Sequence, residues 1–284
     1  MLAENNRVVN AITVDLEDWY QGLTRTMYTP ERWGSLPARV EETTEFLLNL
    51  FSEAGVHATF FVLGFLAQEH PRLIKKIANA GHELASHGFS HQPIFRLTPQ
   101  QFKQELLRTK DVIEQNTSTA VIGFRAPQFS INGNSLWAFS ILVETGHEYD
   151  SSVFPARSLF YGYPQANRLP YRPIPNSNLF EYPVSTIPIG KINIPIAGGV
   201  YNRFLPYPFI YWALSKLNQQ GVPAVIYVHP WEFDLDQPRI SVNLRERITH
   251  YGMRKTLEDK MRKLLKTFPF APLCKVHNEW LSKN

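Results

Sequence analysis

The sequence contains a single cysteine, Cys274, among 284 residues. An intramolecular disulfide and a cysteine-ligated metal cluster are therefore excluded. No stretch of roughly 18 or more consecutive apolar residues is present, so we expect no membrane-spanning helix. The first residues also lack a charged segment followed by a long apolar run, which argues against a signal peptide. Together these absences predict a cytoplasmic protein without an integral membrane span.

The sequence also has little excess of positive or negative charge. The formal net charge is +4, and lysine and arginine are scattered except between residues 254 and 266. We therefore expect no nucleic-acid partner. Apolar residues recur at helical spacing through this basic stretch, at Met253, Leu257, Met261, Leu264 and Leu265. The pattern predicts an amphipathic helix with a solvated basic face; a helix that lies on a membrane or contacts an acidic polysaccharide is the alternative.

Strand-like and helix-like segments alternate along the chain. The segment VVNAITVD is β-rich, and a helical pattern that ends at Gly55 follows it before a second strand, HATFFVLG. Thr98, Pro99 and Gln101 form a capping-box pattern at the start of a later helix. Many of the 21 prolines gather between residues 155 and 208, where we expect loops. The alternation predicts an α/β fold with a parallel sheet, either open or closed into a barrel.

Polar side chains follow apolar runs at four predicted strand ends. These residues are Asp15, His87, Arg125 and His229. Open parallel sheets and (β/α) barrels both place their catalytic groups at the carboxyl ends of the strands. The coincidence therefore predicts a functional site at that end of the sheet.

Two of these clusters contain metal-ligand residue types. In SHGFSH, His87 and His91 are four residues apart, and on a helical turn their side chains would converge on one ion. In TVDLEDW, Asp15, Glu17 and Asp18 follow a strand, so one carboxylate could ligate the ion while another acts as a base. The alternatives are solvent-facing histidines and an acidic loop, or a helix cap at Asp18.

Three further residues suggest acid–base chemistry. Arg125 has a rigid guanidinium that suits a carboxylate, so it could hold the proposed base ionised. His229 could act as a general acid, with Asp150 fixing its tautomer. Each of the three, taken alone, is also explained by an ordinary structural role.

In their order along the chain, these motifs resemble one family. The acid cluster, SHGFSH, FRAP, YDSS and YVHP are similar to the motifs of the polysaccharide deacetylases, the NodB-homology or carbohydrate esterase family 4 group. ATFFVLG and AGHELASH match core strands of that family, and the resemblance spans residues 8–230. The spellings VDLEDW, FRAPQFSI and VHPWE look like the subgroup associated with exopolysaccharide loci, which carries a C-terminal extension.

The resemblance implies a fold and a domain organisation. The expected fold is a distorted (β/α) barrel of about seven strands. Residues 1–284 would form a single deacetylase domain, with residues from about 155 to 210 as an insert and residues 232–284 as an extension.

The resemblance also implies roles for individual residues. His87 and His91 match the two histidine ligands of one divalent ion, Arg125 the arginine that orients the catalytic base Asp15, and His229 the general acid. Asp150 matches the partner of that acid. The backbone N–H of Gln128 matches the family's oxyanion donor, and Phe154 or Trp231 could form the wall beside the acetyl methyl group.

The first motif departs from the family pattern. Leu16 occupies the position of the usual aspartate ligand, so the ligand must be Glu17 or Asp18. If the strand continues, Asp15 and Glu17 alternate with Leu16, and on this ground we predict Asp18 as the ligand, with Glu17 as the rival.

These assignments predict metal-dependent hydrolysis of N-acetyl groups from an amino-sugar polysaccharide, with release of acetate. The expected cofactor is one divalent ion, with Zn²⁺ as the first choice and Co²⁺, Ni²⁺ or Fe²⁺ as alternatives. The expected partner is an N-acetylated glycan, and the sequence indicates no oligomeric state. One alternative is an amidohydrolase of purine breakdown on the same fold. The other is a non-catalytic carbohydrate-binding protein that uses Tyr161, Tyr163 and Trp231.

Overall fold

The computed structural model describes residues 8–23, 30–158 and 162–283. Within these ranges the chain contains ten β-strands. They are β1 (Asn10–Leu16), β2 (Thr59–Val62), β3 (Glu83–Ser86), β4 (Gly123–Phe124), β5 (Tyr149–Asp150), β6 (Phe180–Glu181), β7 (Thr186–Ile189), β8 (Ile192–Pro195), β9 (Val225–Val228) and β10 (Phe270–Ala271).

Seven of the strands form one curled parallel sheet. Their order is β9-β1-β2-β3-β4-β5-β6, and the short strand β10 pairs in parallel with the first residues of β1. Strands β7 and β8 form a separate antiparallel hairpin. The predicted distorted (β/α) barrel of about seven strands is therefore confirmed.

Ten α-helices surround the sheet or follow it in the described ranges. They are α1 (Val40–Ala54), α2 (Gly64–Glu69), α3 (Pro71–Asn79), α4 (Pro99–Thr117), α5 (Ala138–Glu144), α6 (Val200–Phe204), α7 (Tyr207–Gln219), α8 (Leu244–Tyr251), α9 (Leu257–Thr267) and α10 (Leu273–Lys283). Five short 3₁₀ helices lie at Pro30–Ser35, Ile94–Arg96, Pro127–Phe129, Pro230–Phe233 and Arg254–Thr256.

Local sequence signals explain several helix ends. Helix α1 ends at Gly55, which adopts the left-handed conformation at φ 65° that costs glycine little. Helix α4 begins with the predicted capping box, because the Thr98 side chain accepts from Gln101 N and the Gln101 side chain accepts from Thr98 N. The proline-rich region between residues 155 and 208 is mostly irregular, as predicted, apart from β6, the hairpin and the short helix α6.

The core lies between the sheet and the outer helices. All seven residues of β1 are buried, as expected of a central strand covered on both faces. The basic helix α9 contributes Leu257, Met261, Leu264 and Leu265 to this core, so its interpretation as an amphipathic packing helix is confirmed. Met253 lies before the helix and is 54% exposed. None of the described helices is both long enough and apolar enough to cross a membrane.

The parallel pairing brings several strand ends together. Strand β1 pairs with both β2 and β9, and β3 pairs with both β2 and β4. Because the carboxyl ends of parallel strands share one edge, the residues that follow β1, β3, β4 and β9 face a common space.

Candidate metal centre and catalytic cavity

A buried carboxylate and two histidines lie together at the carboxyl end of the sheet. One ligand atom each of Glu17, His87 and His91 falls within 4.8 Å of the other two. Glu17 Oε1 lies 2.9 Å from His91 Nε2 and 3.5 Å from His87 Nε2. All three side chains are less than 10% exposed. Such a cluster of oxygen and nitrogen donors is suited to one divalent cation.

The hydrogen bonding of His87 supports this interpretation. Its Nδ1 donates to the carbonyl of Arg125 at 2.8 Å, which leaves the Nε2 lone pair directed at Glu17. That Nε2 is buried and makes no hydrogen bond with any of the described residues. Metal-binding histidines characteristically use one nitrogen for a carbonyl or carboxylate and the other for the ion. The donor set therefore fits a metal.

The charge on Glu17 is also appropriate for a ligand. Burial alone would raise the pKa of Glu17, but attraction to His91 and His229 and the hydrogen bond with His91 Nε2 hold it well below its usual value. The carboxylate is therefore ionised at neutral pH, which ligation requires.

The two histidines do not lie on a helical turn, contrary to our expectation. Residues 87–93 form a loop after β3, and His91 has a left-handed backbone at φ 57°. The Glu105 carboxylate on α4 holds this loop by accepting from Phe89 N at 2.7 Å and from Ser90 N at 2.8 Å. The His87 and His91 ring centroids are 5.5 Å apart, so the rings converge as predicted, although the backbone differs.

The structure contradicts the choice of Asp18 as the carboxylate ligand. Its Oδ2 accepts from Arg39 N at 2.7 Å and Val40 N at 3.0 Å, and its Oδ1 accepts from Trp19 N at 2.7 Å. Both oxygens are therefore used to anchor the start of α1. Glu17, the rival in the sequence analysis, lies beside His87 and His91 instead.

Asp15 and Arg125 form the predicted contact. Arg125 is fully buried, and its Nη1 donates to Asp15 Oδ1 at 2.7 Å and to Thr13 Oγ1 at 2.8 Å. Its Nη2 and Nε donate to Ser151 Oγ and the Ser151 carbonyl. The guanidinium is thus fixed by several partners and holds one oxygen of Asp15.

His229 lies across the same space from Asp15. Its Nε2 is 3.9 Å from Asp15 Oδ2 and 3.9 Å from Glu17 Oε1. Burial lowers its pKa, but the carboxylates of Glu17, Glu232 and Asp15 outweigh burial and raise the pKa of His229 to about 9. A cation at Glu17 would cancel part of that attraction. The side chain is 15% exposed, so a bound substrate can reach it.

Asp150 does not partner His229, and this prediction is wrong. Asp150 is buried at the end of the β5–β6 pairing, where its register neighbour is Glu181 and its Oδ1 accepts from Ser152 Oγ. Burial raises the pKa of Asp150 to about 6 and that of Glu181 well above its usual value. The pair therefore retains a proton to higher pH than two isolated carboxyl groups would. The carboxylate that contacts His229 Nδ1 is Glu232, at 3.1 Å.

The site contains a cavity of about 110 Å³. Among the predicted residues it is lined by Asp15, Glu17, His91, Gln128, His229 and Trp231. Gln128 has a left-handed backbone at φ 57°, an uncommon conformation for a residue other than glycine. Of the two predicted apolar walls, Trp231 lines the cavity, whereas Phe154 packs behind it at 5.8 Å from the Phe129 ring.

Several residues of the site were not predicted. They are Glu105, Arg203, Glu232 and His250. Glu232 is the residue with a usable signal, because the motif VHPWE places an acid three residues after His229 in a capping-box spacing. Arg203 and His250 come from α6 and α8, outside any motif that we identified.

The curled parallel sheet carries a buried histidine–carboxylate cluster at the carboxyl ends of its strands. Residues 33–146 match the family model of polysaccharide deacetylases, and residues 151–278 match a domain of unknown function, DUF3473. This match to the polysaccharide deacetylases agrees with the resemblance that the motifs predicted.

Individual relatives agree with the family model. A peptidoglycan-N-acetylglucosamine deacetylase of Bacillus cereus is 31% identical over 98 residues, which cover 34% of this chain and 36% of that protein. The aligned region thus spans about a third of that relative.

Solved structures extend the similarity of the fold to the whole chain. The structure of a candidate polysaccharide deacetylase from Mycobacterium smegmatis has a TM-score of 0.65 at 20% identity, covering 100% of this chain and 93% of that one. An allantoinase has a TM-score of 0.62 at 14% identity, covering 99% and 92%. At these identities the similarity concerns the fold alone, and the fold does not separate the two activities.

Proposed function

We propose that this chain is a metal-dependent N-deacetylase that hydrolyses acetamido groups of an amino-sugar polymer. The observation that carries the proposal is the buried His87 Nε2, which makes no hydrogen bond within the described part of the chain and faces Glu17 and His91 beside Asp15 and His229. A binding protein needs no such arrangement of an ion site with a base and an acid on either side.

Each residue has a distinct part in the proposed reaction. Glu17, His87 and His91 hold one divalent ion, for which we propose Zn²⁺, since nitrogen and oxygen donors suit it; Co²⁺, Ni²⁺ and Fe²⁺ fit the same set. When bound, the ion polarises a water molecule and the acetamido carbonyl. The Arg125 guanidinium holds one oxygen of Asp15 in place, and Asp15 accepts the proton of the attacking water.

The later steps use the opposite side of the cavity. The backbone N–H of Gln128 donates to the oxyanion that develops on the carbonyl oxygen; one such donor typically contributes roughly 2.7–4 kcal/mol. His229 gives a proton to the amine nitrogen as the C–N bond breaks, and acetate leaves with the oxygen of the water. Asp15 then releases its proton to solvent and His229 takes one up, which restores both groups for the next turnover.

The physiological substrate class is a further part of the proposal. The B. cereus relative is named for a peptidoglycan substrate, whereas the spellings VDLEDW and VHPWE look like those of the exopolysaccharide subgroup. We propose an N-acetylated exopolysaccharide. A panel of N-acetylglucosamine oligomers, poly-N-acetylglucosamine and peptidoglycan separates the candidates.

The experiment measures acetate release by the chain after chelation and after reloading with one equivalent of zinc. We expect release from at least one N-acetyl glycan only in the metal-loaded state, and none from Asp15→Asn with its metal content retained. Allantoin belongs in the same panel. Hydrolysis of allantoin with no acetate from any glycan would establish the amidohydrolase alternative instead.

A carbohydrate-binding protein is the other alternative. It would use exposed aromatic side chains, but Trp231 is only 5% exposed and Tyr163 is partly buried. Tyr161 lies outside the described residues. Glycan binding by metal-loaded protein without acetate release would support this alternative and overturn the enzymatic proposal.

A further inference from the structure

Glu232 contacts both the backbone and the ring of His229. Its Oε2 accepts from His229 N at 3.0 Å and from His229 Nδ1 at 3.1 Å. Glu232 is fully buried. The two contacts fix the ring about its side-chain torsions and place Nδ1 on the carboxylate, so Nε2 is the nitrogen that faces Asp15 and the cavity.

A buried arginine holds Glu232 in turn. Arg203 Nε lies 2.8 Å from Glu232 Oε1, and the Arg203 side chain is 1% exposed. Burial would raise the pKa of Glu232, but Arg203 and His229 keep it below its usual value. Because removal of one partner would leave a buried charge without its counter-charge, the two residues depend on each other.

Arg203 also holds the end of helix α8. Its Nη1 donates to the carbonyls of His250 at 3.1 Å and Gly252 at 2.8 Å, and its Nη2 donates to the carbonyl of Thr249. These are carbonyls at the C-terminal end of a helix, where a cation is favourable. A lysine would keep the charge but could not make this set of directed bonds.

Helix α8 reaches His229 by a second route. The Trp231 ring is stacked between the rings of His229, at 4.9 Å and 24°, and His250, at 4.2 Å and 20°. Trp231 Nε1 lies 3.3 Å from Glu17 Oε2 and donates to it. The stack sets the plane of the His229 ring, while Glu232 sets its rotation.

From this network we infer that Glu232 and Arg203 are the positioning residues for His229, anchored on α8, and that they take the part expected of Asp150. The inference assigns a role to residues 151–278, the domain of unknown function, because residues 203, 231, 232 and 250 all lie within it. Its catalytic aspect rests on the proposed deacetylase function. Its structural aspect, the orientation of the ring, does not.

The test compares Glu232→Gln, Glu232→Ala and Arg203→Lys with wild type in the zinc-loaded protein. The matched control is Glu83→Gln, a half-buried carboxylate that accepts from the Tyr149 hydroxyl and from Cys274 N at the other end of β3. Two substrates are used: an N-acetylglucosamine oligomer, whose amine must be protonated to leave, and 4-nitrophenyl acetate, whose phenolate leaves without a proton.

If Glu232 acts through His229, the Glu232 and Arg203 variants should lose about 10- to 100-fold in kcat on the glycan, a loss typical of residues that orient a side chain of the site. We expect KM and zinc content to stay within about twofold, with a much smaller loss on the aryl ester. The Glu83→Gln variant should show no difference between the two substrates. Equal losses on both substrates, or the same selective loss in Glu83→Gln, would overturn the inference.

A second measurement needs no activity. In ¹⁵N-histidine-labelled protein, the hydrogen-bonded Nδ1 proton of His229 should give a protected signal that is missing in His229→Asn. The signal should be lost in Glu232→Ala, weakened in Arg203→Lys and kept in Asp150→Asn and Glu83→Gln. A signal that persists in Glu232→Ala overturns the inference. If wild type releases no acetate while these signals behave as expected, the proposed function fails and the positioning network stands.

Discussion

Glu17 and Asp18 are adjacent carboxylates that the backbone directs to opposite sides. Strand β1 ends at Leu16, and Asp15 faces the cavity. Side chains of a strand alternate between its faces, so Glu17 shares the direction of Asp15 and Asp18 does not. The sequence shows this alternation, but it does not show that the partner of Asp18 is the start of α1, about twenty residues further along the chain. The prediction of Asp18 as the ligand is wrong for this reason.

We predict different outcomes for the two carboxylates. Glu17→Gln should abolish stoichiometric zinc binding and acetate release, because the charged oxygen between His87 and His91 is lost. Asp18→Asn should keep the ion and most of the activity. It should destabilise the chain by about 1 kcal/mol, since Asp18 satisfies backbone N–H groups at a helix start.

Metal content by atomic emission and the free energy of unfolding in urea check both variants. Zinc loss in Asp18→Asn with zinc retained in Glu17→Gln would restore the original assignment.

Strands β4 and β5 show how close packing brings Arg125 to its place. Gly123 pairs with Tyr149 in the sheet, and a Cβ at Gly123 would lie 2.1 Å from Tyr149 Cζ. The Tyr149 ring is fully buried, and its hydroxyl donates to Glu83 at 2.7 Å. The glycine therefore makes room for a tyrosine that cannot easily move. Arg125 follows only two residues later.

Gly123→Ala should accordingly destabilise the fold by about 1–3 kcal/mol or more, the usual range for overpacking. The matched control is Gly34→Ala, where nothing lies within 4 Å of the added Cβ and the change should be nearly neutral. Urea unfolding followed by circular dichroism measures both. If the two alanine variants have the same midpoint, the steric explanation of Gly123 is wrong.

The segment of unknown function is joined to the rest of the chain through the sheet. Strands β6, β9 and β10 lie in residues 151–278 and pair with β5 and β1 of the preceding part. It also supplies His229 and Trp231 to the cavity. At the scale of elements, neither half of the chain builds the site alone.

For the whole molecule, local patterns predicted the architecture well. Alternating strands and helices, the capping box at Thr98 and the end of α1 at Gly55 all depend on neighbouring residues, so the sequence carries them directly. The contact between Arg125 and Asp15 joins distant parts of the sequence, and it was predicted because both residues follow strands whose carboxyl ends share one edge. For this contact, the positions of the two residues at strand ends were sufficient.

Long-range polar pairing was less predictable. Asp150 and Glu232 both follow or flank strand ends, and the choice between them as partner of His229 depends on side-chain directions in three dimensions. Arg203 comes from a helix that the proline-rich sequence did not reveal. The loop that carries His87 and His91 is not helical because the carboxylate of Glu105, fifteen residues after Ser90, accepts hydrogen bonds from the loop backbone. Such contacts leave no periodic signal.

Buried histidines far from the metal centre give a stability prediction for the whole fold. Burial, with a smaller effect of Lys110, lowers the pKa of His147 to about 3, and burial lowers the pKa of His82 to about 4. A histidine of lowered pKa binds fewer protons in the folded state than in the unfolded state. Its stabilisation is therefore complete above the unfolded pKa, near 6.5, and is lost as pH falls toward the folded pKa.

We therefore expect the metal-free chain to lose stability as pH falls from 7 to 4, and His147→Gln to lose less. At its steepest, the contribution of His147 is about 1.4 kcal/mol per pH unit. The buried pair of Asp150 and Glu181 works in the opposite direction, because a raised carboxyl pKa favours the folded state as pH falls. For this reason the informative quantity is the difference between wild type and variant in the free energy of unfolding, measured in urea at each pH. That difference should shift steadily against wild type below pH 6.5, and adding His82→Gln should flatten the curve further. Parallel curves for wild type and His147→Gln would show that this histidine is not held neutral by the fold.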